Sequence, residues 1–117
     1  MKPKPDGADC DRASQRRFRV LVAETDRRLR SVLSRTLDEG ERFRVVAQAS
    51  NAAELAASAT PVDLASVDLN LPGSVGLATI TDLRQRVPSA VIVVLADAWP
   101  VYLRHAAAAE GASAFVG

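Results

Sequence analysis

Two acidic residues stand where apolar runs stop. Glu24 follows Phe18–Ala23 and Asp68 follows Leu64–Val67, and each is trailed two residues later by another polar group, Asp26 and Asn70. Carboxylates gathered at one edge repel, and the arrangement is tolerable mainly when a divalent cation sits among them. A hard oxygen set of this kind suits Mg²⁺, which takes one or two carboxylates and completes its shell with water and phosphate oxygens. An Asp beside such a cation can attack phosphorus and become an aspartyl phosphate. Acids are equally common as plain solvated strand ends, and spacing alone does not separate the two readings.

Whether the acids meet depends on the elements that carry them. Phe18–Ala23 is an apolar strand, and Leu29, Val32, Leu33 and Leu37 recur at helical spacing over about 26–39. Phe43–Ala49 is a second strand. Asn51-Ala52-Ala53-Glu54 has the form of a capping box, in which Asn51 serves the third amide of a helix and Glu54 reaches back to the cap's own N–H. Leu64–Val67 is a third strand, and Pro72, Gly73 and Gly76 punctuate the loop after it. Leu77, Ile80, Leu83 and Val87 mark a third helix ended by Pro88. Ala90–Leu95 is a Val/Ile strand of the kind covered on both faces. Pro100 suits the first turn of a fourth helix through Ala109, Gly111 stops it, and Ala114-Phe115-Val116 begins a fifth strand.

Strands alternating with helices through short connections predict a three-layer α/β domain, a doubly wound parallel sheet with right-handed crossovers. In the flavodoxin-like order 2-1-3-4-5 the first and third strands are neighbours at the switch point. Glu24 and Asp68 then face each other beyond the carboxyl ends of the strands, where such sheets bind ligands.

Composition narrows the function classes. The 117 residues, 48% hydrophobic and 25% charged with net charge +1, describe one globular domain. Residues 1–17 read as a flexible tail with breakers and charge but no apolar face, and 18–117 as the domain. The tail lacks the apolar segment of a secretory signal, and the run Val87–Ala96 is too short to span a bilayer, so a cytoplasmic, membrane-free protein is expected. A lone Cys10 excludes an internal disulfide, and a lone His105 excludes a histidine metal cluster. The arginines are scattered over a nearly neutral domain, which predicts no direct nucleic-acid binding by this segment. Trp99, in the loop over the site, either covers the pocket or faces a partner.

From Arg19 onward the chain resembles the receiver (CheY-like) domain of two-component response regulators. Arg19-Val20-Leu21-Val22-Ala23-Glu24 is similar to that family's first strand and acidic turn. Val62 to Gly73, with Asp68-Leu69-Asn70-Leu71-Pro72-Gly73 as the most specific piece and Gly76-Leu77 behind it, is similar to the third strand, phosphoacceptor and following loop. Pro88–Leu95 and Gly111–Phe115 resemble the fourth strand and the approach to the fifth. Val45 to Asn51 is most similar to regulators with a C-terminal helix-turn-helix output.

The resemblance implies a phosphorelay signalling domain rather than an enzyme. It makes Asp68 the phosphoacceptor, with Glu24, Asp68 and the Asn70 backbone carbonyl on Mg²⁺ and Phe115 the aromatic switch. It implies a sensor histidine kinase or another signalling protein as partner, with homodimerisation as a further expectation. Departures accompany it. Thr25 occupies the second acidic position, so the carboxylate that contacts Mg²⁺ directly in the family is missing unless Asp26 reaches in. Ala96 occupies the position of the switch hydroxyl, and the family's site lysine falls one residue past Gly117. An atypical receiver with weak or no phosphorylation is therefore expected, and a phosphorylation-independent pseudo-receiver, acting as an interaction or dimerisation module, is its rival. The family closes with a helix after the fifth strand. Its absence from these 117 residues leads to the expectation of a piece of a longer regulator, or of association through the uncovered face. A haloacid-dehalogenase-type phosphatase fits poorly, because it resembles Asp-x-Asp where this chain has Asp68-Leu69-Asn70.

Overall fold

The computed structural model describes residues 17–58, 61–73, 77–96 and 101–116. The tail through residue 16, both lysines, Cys10 and Trp99 lie outside the described residues. The elements are β1 (Phe18–Ala23), α1 (Arg27–Glu39), β2 (Phe43–Ala49), α2 (Ala52–Ala57), β3 (Leu64–Asp68), α3 (Ala78–Arg86), β4 (Val91–Leu95), α4 (Val101–Ala109) and β5 (Ala114–Val116). They form a five-stranded, all-parallel sheet in the order β2-β1-β3-β4-β5, the flavodoxin-like arrangement that the alternation predicts. Among the described residues no helix is long and apolar enough to cross a membrane.

The sheet's two faces are covered unequally. Leu21, Ala23, Ala65, Val67, Ile92 and Val94 point to one face and form a buried cluster with Leu55 of α2, Ile80 and Leu83 of α3 and Ala107 of α4. Strand alternation sends Val20 and Val22 to the other face, where α1 buries both completely. Leu29 and Val32, part of the apolar stripe that marks this helix, are 42% and 50% exposed. The apolar stripe of α1 is wider than its contact, so Leu33 and Leu37 are half-buried while Ser34 is the residue pressed inward.

The predicted capping box forms with one change. Asn51 Oδ1 accepts from Glu54 N at 2.8 Å as expected, but Glu54 Oε1 accepts from Ser50 N at 2.6 Å and Ser50 Oγ at 2.7 Å rather than from the cap's own N–H. Those Ser50 bonds, the hydroxyl's first, hold the Glu54 carboxyl below its ordinary pKa. Asn51 thereby fixes α2 one turn after β2, next to the loop that follows Asp68, where Ala52 N donates to Pro72 O at 2.8 Å.

At the opposite end of the sheet, Arg84 of α3 ties three segments together. Its Nε and Nη2 donate to Gly111 O at 3.1 and 2.7 Å, Nη2 also to Ser113 Oγ at 3.2 Å, and Nη1 to Ala90 O at 2.6 Å and Pro88 O at 3.1 Å. Gly111, at φ 117, is the turn between α4 and β5.

Candidate phosphoacceptor site

Because β1 and β3 are paired, with Ala23 opposite Val67, their carboxyl ends bring the two acids side by side. Asp68 is the last residue of β3 and 8% exposed, and Glu24, directly after β1, is 5% exposed. Asn70 N donates to Asp68 Oδ1 at 2.9 Å, and Thr25 N donates to Asp68 Oδ2 at 3.1 Å. The Asp68 carboxylate is thus oriented by one amide on each oxygen, from two different loops. Glu24 is held by Asp26 N, which donates to Oε2 at 3.0 Å, and by Arg30 Nη1, which donates to its carbonyl at 2.8 Å. Thr25 Oγ1 donates to the Asn70 carbonyl at 3.3 Å, closing the ring between the β1 and β3 loops. These groups line one wall of a cavity of about 730 Å³, whose other wall is made by Leu95, Ala96 and Val116.

Asp26 takes a different place from the one considered for it. Its Oδ1 accepts from Arg28 N at 2.8 Å and Leu29 N at 3.1 Å, so the carboxylate is the N-cap of α1. Among the described residues no group of three or more Asp, Glu, His or Cys side chains could hold a metal. The donor set present is two carboxylates and the Asn70 carbonyl. It fits a Mg²⁺ that keeps water and phosphate oxygens for the rest of its shell, and it does not make a closed protein cage.

Ala96 lines the cavity and donates its N–H to Val116 O at 3.1 Å, but its methyl offers no hydrogen bond to anything in the site. Phe115 lies on the opposite face of β5, half-buried against the main cluster. Thr25, which stands in place of an acid, also contributes through its backbone. Residue types and spacing signal neither its N–H on Asp68 nor the Arg30 bond to the Glu24 carbonyl. Backbone donors and acceptors leave no signature in residue type.

The two members of the pair are shifted in opposite directions. Burial raises the Glu24 carboxyl above its ordinary 4.5, and the neighbouring charge and hydrogen bond of Asp68 raise it further against the opposing Asp26 N–H. Burial alone would raise Asp68 as well. The Thr25 side chain beside it, the hydrogen bonds from the Asn70 and Thr25 amides, and the neighbouring Glu24 together bring it below its ordinary 3.8. Raised, Glu24 contributes stability that is full below pH 4.5 and is lost as pH climbs through its folded value. Lowered, Asp68 contributes stability that is full above pH 3.8 and is lost as pH drops through its folded value. The pair therefore contributes most between those limits and less at neutrality. Glu24→Gln keeps a neutral donor toward Asp68. In chelator-treated protein this variant should lose less stability than the natural chain on going from mildly acid to neutral pH, measured by urea unfolding. Equal losses would remove Glu24 as the source.

Comparison with known proteins adds to this geometry. A family model described as "Response regulator receiver domain" matches residues 20–117. The chain is 30% identical over 81 residues to the transcriptional regulatory protein CitT of Bacillus subtilis (strain 168), a match covering 68% of this chain and 36% of that protein. The chain thus spans about a third of the length of the curated relative it matches. Among solved structures, a response regulator protein from Burkholderia pseudomallei with a phosphorylated aspartic acid, calcium ion and citrate superposes with a TM-score of 0.76. It is 27% identical, over 84% of this chain and 58% of that one. A LuxR-family two-component response regulator from Aurantimonas sp. SI85-9A1, 24% identical, superposes with a TM-score of 0.74 over 86% of this chain and 73% of its own, and shares the fold.

Proposed function

This chain belongs to the response regulator receiver domain family, and we propose that it receives a phosphoryl group on Asp68, slowly for a member of that family. The observation that carries this reading is the Asp68 carboxylate itself, held by Thr25 N and Asn70 N at the floor of the cavity beside Glu24. One carboxylate oxygen of Asp68 forms a bond to phosphorus while the bond from phosphorus to the donor's leaving group breaks, the leaving group taking the electron pair. Asp68 is consumed in the step, as a stoichiometric acceptor rather than a turnover catalyst. Mg²⁺, when bound by Glu24, Asp68 and the Asn70 carbonyl, supplies charge neutralisation for the phosphoryl oxygens. The chain's own residues do the rest. Thr25 N and Asn70 N keep the carboxylate aimed, and the buried surroundings of Glu24 limit water.

The low rate follows from Thr25 and Ala96. In phosphoryl transfer the protein works by positioning and charge stabilisation, and each oriented group that is absent costs ~3 kcal/mol, or ~10² in rate. The donor is a sensor histidine kinase or another phosphorylated signalling protein in the cytoplasm. Contact with DNA, if the regulator makes it, belongs to an output domain of the helix-turn-helix type and not to this segment. Incubation with acetyl phosphate and Mg²⁺, read by intact mass, tests the assignment. A gain of one phosphoryl mass that Asp68→Asn abolishes is expected, and no gain after prolonged incubation overturns it.

A second reading, a phosphorylation-independent interaction or dimerisation module, is favoured by one observation. Burial and the neighbouring Asp68 push the Glu24 carboxyl up, toward its neutral form, and a neutral acid beside Asp68 needs no cation to offset repulsion. Absence of Mg²⁺ or Mn²⁺ affinity below the millimolar range would select it.

A further inference from the structure

Outside the acidic cavity, the most unusual chemistry lies along α1 where it crosses β2. A groove of about 520 Å³ runs between them, lined on the helix by Arg27, Arg30, Ser31, Ser34 and Arg35 and on the strand by Gln48. Arg27, Ser31 and Arg35 recur every four residues and form one stripe along the helix, with Arg30 and Ser34 as the adjacent stripe. Three properties of this groove are not accounted for by folding.

Ser34 is 6% exposed, and its Oγ is a buried polar atom with no hydrogen-bond partner among the described residues. Such a hydroxyl carries a desolvation cost that native structures usually avoid. The side chains of Arg27, Ser31, Arg35 and Gln48 likewise make no hydrogen bond or ion pair among the described residues, so the groove gathers donors that the chain itself does not use. Finally, α1 begins Arg27-Arg28 with Arg30 one turn in, and the Asp26 carboxylate at its N-cap is the single acid set against these three arginines. Cations at the positive end of a helix are repelled by its dipole. Local rules broken together at one place, here a buried unpaired hydroxyl beside clustered arginines, mark a functional surface.

We propose that this groove binds a phosphate-bearing small anion, with the guanidinium groups of Arg27 and Arg35 on its oxygens and the hydroxyls of Ser31 and Ser34 completing the contact. Guanidinium forks match phosphate oxygens in pairs, and a serine hydroxyl can donate to the same group. Two acids, Asp38 and Glu39, close the far end of the groove. Asp38 Oδ1 is engaged by Val45 N at 2.7 Å, and both acids lie beyond Ser34 toward the helix C-terminus, so the anion is confined to the arginine end. The site is separate from Asp68, and its existence does not depend on phosphorylation there.

The test uses the full chain with chelator present and ionic strength held constant, so that Glu24 and Asp68 repel the probe. Pyrophosphate and adenosine triphosphate are titrated in parallel and followed by melting temperature and by amide shifts in two-dimensional NMR. Shifts at Arg27, Ser31, Ser34 and Gln48 with a rise in melting temperature are expected. Equal affinities assign a bare oligophosphate, and tighter binding of the triphosphate assigns a nucleotide. Arg27→Gln/Arg35→Gln should weaken binding at least ~10-fold, the loss of charge-assisted bonds. Ser34→Ala should raise the melting temperature of the unliganded protein and weaken the anion. The absence of any shift with both probes, unchanged affinity in the double arginine variant, or a stabilised Ser34→Ala protein with undiminished affinity would each overturn the proposal.

Discussion

Thr25→Asp combined with Ala96→Thr is expected to accelerate phosphoryl uptake by Asp68, by ~10² for each group restored and by up to ~10⁴ together if the two act independently. The two positions act on different parts of the same wall. Thr25 sits on the β1 loop with its amide already on Asp68 and its hydroxyl on the Asn70 carbonyl. A carboxylate there keeps the amide, frees the Asn70 carbonyl from the hydroxyl, and adds a third carboxylate beside Glu24 and Asp68. Ala96 stands across the cavity at the end of β4, where a hydroxyl would face the phosphoryl oxygens. The first substitution has a signature that separates it from the second. Three carboxylates in one buried corner repel, so Thr25→Asp should lower the melting temperature in chelator and enlarge the rise produced by Mg²⁺. Ala96→Thr adds no charge and should leave both quantities nearly unchanged. Intact-mass time courses with acetyl phosphate measure the rate. A double variant no faster than the natural chain would show that neither position limits the reaction.

The same site illustrates which features residue patterns can carry. The adjacency of Glu24 and Asp68 was legible because it needs only strand order, and strand order follows from alternation, short connections and crossover handedness. The strands were legible because Val, Ile and Leu runs covered on both faces have few alternatives; β1 and β2 begin and end where the apolar runs do. The role of Asp26 was not legible. A carboxylate two residues after a strand can turn toward a cation or toward the first amides of the next helix, and only the direction of α1 decides for the cap. Leu29 and Val32 show a related limit. Helical spacing identifies the apolar stripe, yet says nothing of how much of that stripe a neighbour covers, and α1 turns its Leu33–Ser34–Leu37 side to the sheet. Glu54 fell one residue from its expected partner because Ser50 offers both an amide and a hydroxyl where the cap offers only an amide.

Arg84→Ala should produce the largest loss of stability among single substitutions on the polar framework, about 3 kcal/mol in urea unfolding, as expected when a charged donor is removed from several carbonyl acceptors and water recovers only part of the loss. Against the ~5–15 kcal/mol of a domain this size, that is a large share. The reason lies in what the guanidinium spans. Its planar fork reaches Ala90 and Pro88 before β4, and Gly111 and Ser113 before β5, so one side chain sets the spacing at which both strands enter the sheet. Ser113 Oγ also accepts from Ile92 N at 3.1 Å, and Ser113 N donates to Ile92 O at 2.7 Å, so the clamp acts on the β4–β5 pairing directly. Lys at 84 offers a point charge and no fork, and should recover less than half of the loss. The effect should reach the phosphoacceptor end of the sheet through β5, because Ala96 N depends on Val116 O; hydrogen exchange at the Ala96 amide should quicken in Arg84→Ala before the protein unfolds globally. Gly111 provides the internal check. A Cβ there would stand 2.9 Å from Arg84 Cγ at a φ of 117, so Gly111→Ala carries both a clash and backbone strain, ~1–3 kcal/mol for the strain. Removing the Arg84 side chain beyond Cβ relieves the nearest contact and leaves the strain. The double variant should therefore cost less than the two single variants added together. Strict additivity would mean that Arg84 and Gly111 stabilise the β5 turn independently, and the clamp as described would be wrong.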